Sequence, residues 1–174
     1  MRLLVVFIIS ISNNLFSQSI FDIARHGTPK EMTAYLEQHP EDLNSISEHG
    51  ASPFLLAAYR GNNDVAKLLL EKGADIHYCY AEGSAIYALI YKNNLELLEA
   101  VLKKGVNPND TCQFNQLGYP LHFALSLQRI DAIELLIQYK ASTKIKDVQG
   151  RSIEELLTFY ANPQLNLIFN KNEK

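Results

Sequence analysis

Cys79 and Cys112 are the only cysteines in this 174-residue chain, and His77 and Asp110 lie within two residues of them. They are the first place to look for chemistry. If neighbouring loops touch, the four side chains could converge on a metal. Zinc sites, however, show C-x2–4-C or H-x3–5-H spacing, and neither occurs, so no metal is expected. An oxidising compartment would let the two cysteines pair. They sit at similar phase in the loops of two neighbouring repeated units. Helical layers stack roughly 8–10 Å apart, whereas a disulfide needs Cα atoms within about 7 Å. The longer loop at residues 107–117 supplies slack. A Cys79–Cys112 bridge and two free thiols therefore both remain open.

Catalytic constellations are missing. There is no G-x-S-x-G, no glycine-rich phosphate loop and no H-E-x-x-H. Ser, His and Asp are present, but a triad is a matter of geometry that spacing does not reveal. The expectation is a non-enzyme without a cofactor. The net charge of −3 and a pI near 5.9 lack the basic stripe that nucleic acid requires. Lys103-Lys104 and Lys144-Ile145-Lys146 are too short to supply it.

The start of the chain differs in kind from the rest. Met1-Arg2 is positive, residues 3–11 are almost wholly apolar, and Ser12-Asn13-Asn14 through Ser19 turns polar and small. That is the layout of a secretory leader. Its apolar run is about half the ~20 residues a membrane span needs. Residues 1–19 are expected to be removed after Ser17 or Ser19, leaving an exported chain with no span, in the periplasm or secreted.

The elements that would position any functional group are set out by the glycines. Gly50, Gly83, Gly118 and Gly150 precede apolar helical segments. Gly27 and Gly61 sit between paired segments, and Gly73 and Gly105 follow the second of a pair. Glycine suits φ > 0, as just past a helix end. In the clearest unit, Ser52 suits an N-cap and Pro53 the first helical position. Phe54, Ala57 and Ala58 make an apolar stripe. Gly61 breaks that helix, Asn62-Asn63-Asp64 caps a second, and Val65, Leu68, Leu69 and Leu70 give it a face that ends at Gly73. The pattern returns at Ser84-Ala85-Ile86 and again at Tyr119-Pro120-Leu121, spacings of about 32 and 35 residues that signal a repeat array. Thr28-Pro29-Lys30-Glu31 and Ser152-Ile153-Glu154-Glu155 read as capping boxes in degenerate end units. The units run roughly over 20–46, 47–79, 80–113, 114–146 and 147–169, with 170–174 a fraying polar tail.

Ser52-Pro53-Phe54-Leu55-Leu56-Ala57-Ala58, Gly61 and Leu68-Leu69-Leu70-Glu71-Lys72-Gly73-Ala74-Asp75-Ile76 resemble an ankyrin repeat, as does Tyr119-Pro120-Leu121-His122-Phe123-Ala124. The resemblance spans roughly residues 20–169. His122 stands at the family's histidine, while Leu55 and Tyr87 replace it elsewhere. Gly83, Gly118 and Gly150 are read as one residue nearer their helix than Gly50. The resemblance implies an all-α helix-turn-helix solenoid with β-hairpin-like loops between repeats. It also implies a hydrogen-bonding structural role for His122, and a concave face of inner helices and loop tips that binds another protein. Mapped residue by residue, that face holds Tyr59, Arg60, Tyr91, Lys92 and Leu127, with Tyr78, Tyr80 and Phe114 at the tips. Tyr and Arg are the residue types that anchor interfaces. Tyr87, in mid-helix, is expected to pack between repeats. The chain is read as a monomeric, non-catalytic interaction module. An immunity- or inhibitor-type protein against a toxin or enzyme is the alternative. A metal- or redox-responsive protein using Cys79, Cys112 and His77 is the less favoured one.

Overall fold

The computed structural model describes residues 18–112 and 114–172, with Phe114, Lys171 and Asn172 by backbone alone. Residues 1–17 of the expected leader lie outside the described residues, as does Gln113. The helices are α1 (Ile20–His26), α2 (Pro29–Gln38), α3 (Pro53–Arg60), α4 (Asn63–Glu71), α5 (Ala85–Lys92), α6 (Leu95–Lys103), α7 (Phe114–Leu117), α8 (Pro120–Ser126), α9 (Ile130–Gln138), α10 (Ile153–Tyr160) and α11 (Pro163–Asn172). Among the described residues the only sheet-like feature is an isolated bridge between Tyr80 and Gly83. The expected helical solenoid is the fold.

An inner row runs α1, α3, α5, α8, with α1 packed on α3, α3 on α5 and α5 on α8; the outer helices pair behind them, α2 on α4 and α6 on α9. Short helices of seven to ten residues are marginal alone, so burial between neighbours holds them. Phe54, Ala57 and Ala58 of α3, Val65 and Leu69 of α4, and Ile86, Leu89 and Ile90 of α5 are all buried in one core running the length of the stack. Each layer stabilises the next.

The helix starts follow the sequence closely. The Ser52 hydroxyl accepts from the Leu55 N–H at 3.3 Å. Thr28 with Glu31, and Ser152 with Glu155, form the expected capping boxes. A third box, Ser19 with Asp22, caps α1 inside the segment read as leader. Asn62 departs from expectation: its side chain makes no cap bond. Its amide instead donates to the carbonyls of Ala24 at 3.2 Å and Gly27 at 2.9 Å in the preceding repeat. At the far end α11 runs on to Asn172, into the segment read as a polar tail.

Gly61 closes α3 in the left-handed region, at φ 76°. Gly27 does not: its φ is −82° and its backbone is extended. What it needs is room, since a Cβ there would lie 2.7 Å from Ile23 Cγ2 and 2.9 Å from the Ile23 backbone. Conversely Asn93, Gln128 and Ala161 make left-handed joints without glycine. At the tips, the Gly50 and Gly150 turns match. The Ser47 N–H donates to Ala51 O and the Gly50 N–H to Ser47 O; Asp147, Arg151 and Gly150 repeat both bonds. Gly150 therefore stands at the phase of Gly50, not one residue nearer its helix. The long loop before α8 is no hairpin either: it contains the short α7.

Candidate functional site

The residue next to last is aromatic on two helices of the inner row, Tyr59 on α3 and Tyr91 on α5, and likewise on α10, the first helix of the fifth repeat, where it is Phe159. Tyr91 is 52% exposed and Phe159 70%. Between the second and fourth repeats the inner-helix face holds a hollow of about 290 Å³. Of the expected surface residues, Tyr59, Tyr91 and Leu127 line it together. Tyr87, Leu117, Phe123 and Glu82 complete the lining.

Two of the three tyrosine hydroxyls around the hollow, those of Tyr59 and Tyr87, are anchored in the fold. The Tyr59 hydroxyl donates to the Glu82 carbonyl oxygen. The Tyr87 hydroxyl donates to the carbonyls of Asp110, at 3.0 Å, and Gly118, at 2.8 Å, and its ring is buried between repeats as expected. Burial first, and the Glu82 charge second, push the Tyr59 phenol well above the usual range. It stays a neutral donor. Fixing these two hydroxyls fixes their rings, so that part of the hollow's wall is set before anything enters, while the exposed Tyr91 ring stands at its edge.

The remaining tip residues serve the frame. Tyr78 is half-buried and donates to the Gly50 carbonyl at 2.9 Å. Tyr80 donates to Glu82 Oε2 at 2.9 Å and meets the Tyr59 ring edge-on, with centroids 6.2 Å apart. Burial, then the Glu82 hydrogen bond, raise its pKa too. Neither residue lines the hollow. Arg60 is exposed. The Lys92 ammonium lies 5.6 Å from the centre of the Tyr91 ring, a cation–π contact. Phe114 opens α7, but its side chain lies outside the described residues.

Cys79 and Cys112 form a disulfide with Cα atoms 5.8 Å apart. The layer spacing does not forbid it, because both cysteines sit on loops that lean together beyond the helices. In this state neither sulfur is a thiolate ligand. Asp110 is committed elsewhere: it accepts from the Ser84 hydroxyl and, at 3.0 Å, from the Cys112 N–H. Among the described residues no three His, Cys, Asp or Glu side chains converge on a metal, and no helix is long and apolar enough to cross a membrane.

A second hollow of about 190 Å³ lies between the fourth and fifth repeats and shares Leu117 and Phe123 with the first. The sequence did not single it out. Asp147 is buried and accepts from the backbone N–H groups of Gln149 and Arg151, at 2.9 and 2.8 Å, and from Arg151 Nε at 2.7 Å. Burial opposes the Asp147 charge, but these bonds outweigh it and hold the carboxyl below its usual range. His122 is 4% exposed. The Ile145 backbone acts on it, yet neither ring nitrogen meets full hydrogen-bond geometry with a partner, unlike the tie the resemblance implies. Burial above all lowers its pKa, against the pull of Asp147.

This architecture has known counterparts. A family model for ankyrin repeats, in three copies, matches residues 56–147. The chain belongs to the ankyrin-repeat family. It is 22% identical over 126 residues to an ankyrin repeat protein of Fowlpox virus (strain NVSL), covering 72% of this chain and 29% of that one. It is 31% identical over 112 residues to ankyrin repeat and SOCS box protein 11 of Homo sapiens, covering 64% and 34%. With protein fem-1 homolog A-like of Mus musculus it shares 30% identity over 109 residues, covering 60% and 16%. The chain thus spans about a third or less of the length of these relatives. Ankyrin repeats are in general protein–protein interaction modules and non-catalytic scaffolds, and that coarse role fits this chain.

Proposed function

We propose that this ankyrin-repeat chain binds a partner protein through its concave face, with the tyrosine-lined hollow as the anchor point, and that it does so outside the cytoplasm. The observation that carries the reading is the hollow itself. Tyr59, Tyr91 and Leu127 come from three successive repeats and meet in one apolar depression, and Tyr91 leaves half its surface open. Rigid aromatic side chains in a desolvated depression are where binding energy concentrates.

Tyr91 is the cleaner residue to test, because Tyr59 is also a frame residue through Glu82. Tyr91→Ala is expected to weaken capture of a partner from the native compartment by roughly 2 kcal/mol. The thermal midpoint should stay within about 2 °C of wild type, as befits an exposed site. Undiminished capture by that variant would refute the reading.

The leader-like start supports export, and the Cys79–Cys112 disulfide fits an oxidising compartment. Cleavage after Ser17 would leave the Ser19 cap of α1 in place, whereas cleavage after Ser19 would remove it. N-terminal sequencing of the exported protein should therefore find Ser19 retained. A full-length chain recovered from the cytoplasm with free thiols would contradict export.

A further inference from the structure

The aromatic hollow has two unlike rims. The tip rim carries Glu82, whose carboxylate accepts the Tyr80 hydroxyl. The helix-end rim carries Arg60 and Lys92, the basic residues of the last turns of α3 and α5. Arg129 joins them: its guanidinium reaches back across the repeat boundary and donates to the Tyr91 carbonyl at 3.1 Å. Its Nε is buried and without a partner. Lys92 folds back toward Gly61, with its Cδ 4.0 Å from where a Cβ of that residue would stand. Lys92 and Arg129 thus lie at the end of α5, with Arg60 closing the neighbouring α3.

Of the other described cations, Lys67, Lys103, Arg151 and Arg25 pair with Glu96, Glu99, Asp147 and Asp22, while Lys30, Lys72, Lys104, Lys140, Lys144 and Lys146 are exposed on the outer surface and the loops. Among the described residues no carboxylate lies within ion-pair distance of Arg60, Lys92 or Arg129. Helix C-termini favour cations, but that effect is worth only about 0.3–1 kcal/mol each and leaves the outward field positive. In a chain of net charge −3, what sets Arg60, Lys92 and Arg129 apart is their place at the helix ends beside an apolar depression.

Resting on the reading of the concave face as a binding surface, we propose that its occupant is an acidic protein segment. An apolar side chain of the segment enters the hollow, and its carboxylates meet Arg60, Lys92 and Arg129. The eight residues of α5 set the two rims about 12 Å apart, so Glu82 repels the same carboxylates and fixes the side on which they lie. Neighbouring repeats are spaced roughly 10 Å apart, which an extended chain covers in about three residues. Acidic residues about three apart, flanking the apolar anchor, match the row.

The test uses the exported chain with its disulfide intact and three synthetic peptides of ~9 residues. They share a central Leu-Phe pair and differ only in carrying Glu, Gln or Lys at the flanking third positions. Fluorescence anisotropy should show the Glu peptide bound at least about tenfold more tightly than the Gln peptide, with the Lys peptide weakest. The Glu peptide's affinity should fall severalfold between about 50 and about 300 mM salt. Arg60→Glu with Lys92→Glu, both at exposed positions, should invert the order in favour of the Lys peptide. Equal affinity for the three peptides, tighter binding of an oligo-dT strand, or no binding up to ~1 mM would overturn the inference. Tyr91→Ala separates the two ideas. If it weakens all three peptides alike while the flanks make no difference, the groove stands and the acidic partner falls. If it weakens none, the groove falls, and the acidic partner with it.

Discussion

The two hollows of the concave face share a wall, Leu117 and Phe123, yet use their polar groups in opposite ways. In the first, between the second and fourth repeats, the hydroxyls of Tyr59 and Tyr87 turn away to backbone carbonyls and leave ring surface open. In the second, between the fourth and fifth repeats, charges satisfy each other: Asp147 is encircled by Arg151 and the backbone of its own turn. The first leaves apolar ring surface open, as the proposed binding role requires. The second closes Asp147 within its own turn at the start of the fifth repeat. The difference lies in reach: the first hollow's hydroxyls bond to carbonyls of neighbouring repeats and loops, whereas the second's carboxylate is satisfied inside a single turn.

This contrast can be broken at several points. The largest effect is expected from the disulfide, which closes a loop of 33 residues' separation. Replacing both cysteines, Cys79→Ser with Cys112→Ser, should cost about 4 kcal/mol in denaturant unfolding by the chain-entropy account. Hydrogen exchange should quicken around Tyr80 and Asp110, beside the first hollow, and not around Asp147. Asp147→Ala should cost about 2 kcal/mol, because it strands Arg151 and two backbone N–H groups. That loss should appear in the fifth repeat and leave the first hollow's binding intact.

Tyr59→Phe removes one hydrogen bond to the Glu82 carbonyl and should cost about 1 kcal/mol. It should loosen the wall of the first hollow, measurable as weaker binding with the aromatic ring still present. The smallest effect is a pH dependence confined to the second hollow. Burial holds the pKa of folded His122 below its ordinary 6.5, so below that value the unfolded chain binds more protons than the folded one. Stability should therefore decline as pH falls from about 6.5, and His122→Gln should flatten the decline. Asp147 is depressed below 3.8. Its contribution is complete above that value and is lost only in stronger acid.

Much of the frame was legible because it is local chemistry. Ser52, Thr28 and Ser152 announce helix starts through side-chain bonds to their own backbone, and apolar spacing marks which face of each helix is buried. Gly27 was misread because close contact with Ile23, not a left-handed φ, selects glycine there. Asn93, Gln128 and Ala161 take the left-handed conformation where no glycine marks the joint.

The site was legible only in part. Tyr59, Tyr91 and Leu127 could be mapped by phase along their repeats. Leu117 could not, because it closes α7 and its placement depends on how the long loop folds back. Phe159 carried the right signal, the next-to-last position of its helix, but stood in a degenerate repeat. Tyr78 and Tyr80 have the composition of binding residues, yet their hydroxyls brace the tips. Composition does not reveal whether a tyrosine faces a partner or a neighbouring carbonyl.

The most direct test of a binding face on the inner helices is hydrogen–deuterium exchange of the chain alone and with its captured partner. The account predicts new protection in the last turns of α3 and α5 and across residues 117–127, with α4, α6 and α9 unchanged. Protection confined to those outer helices would contradict it.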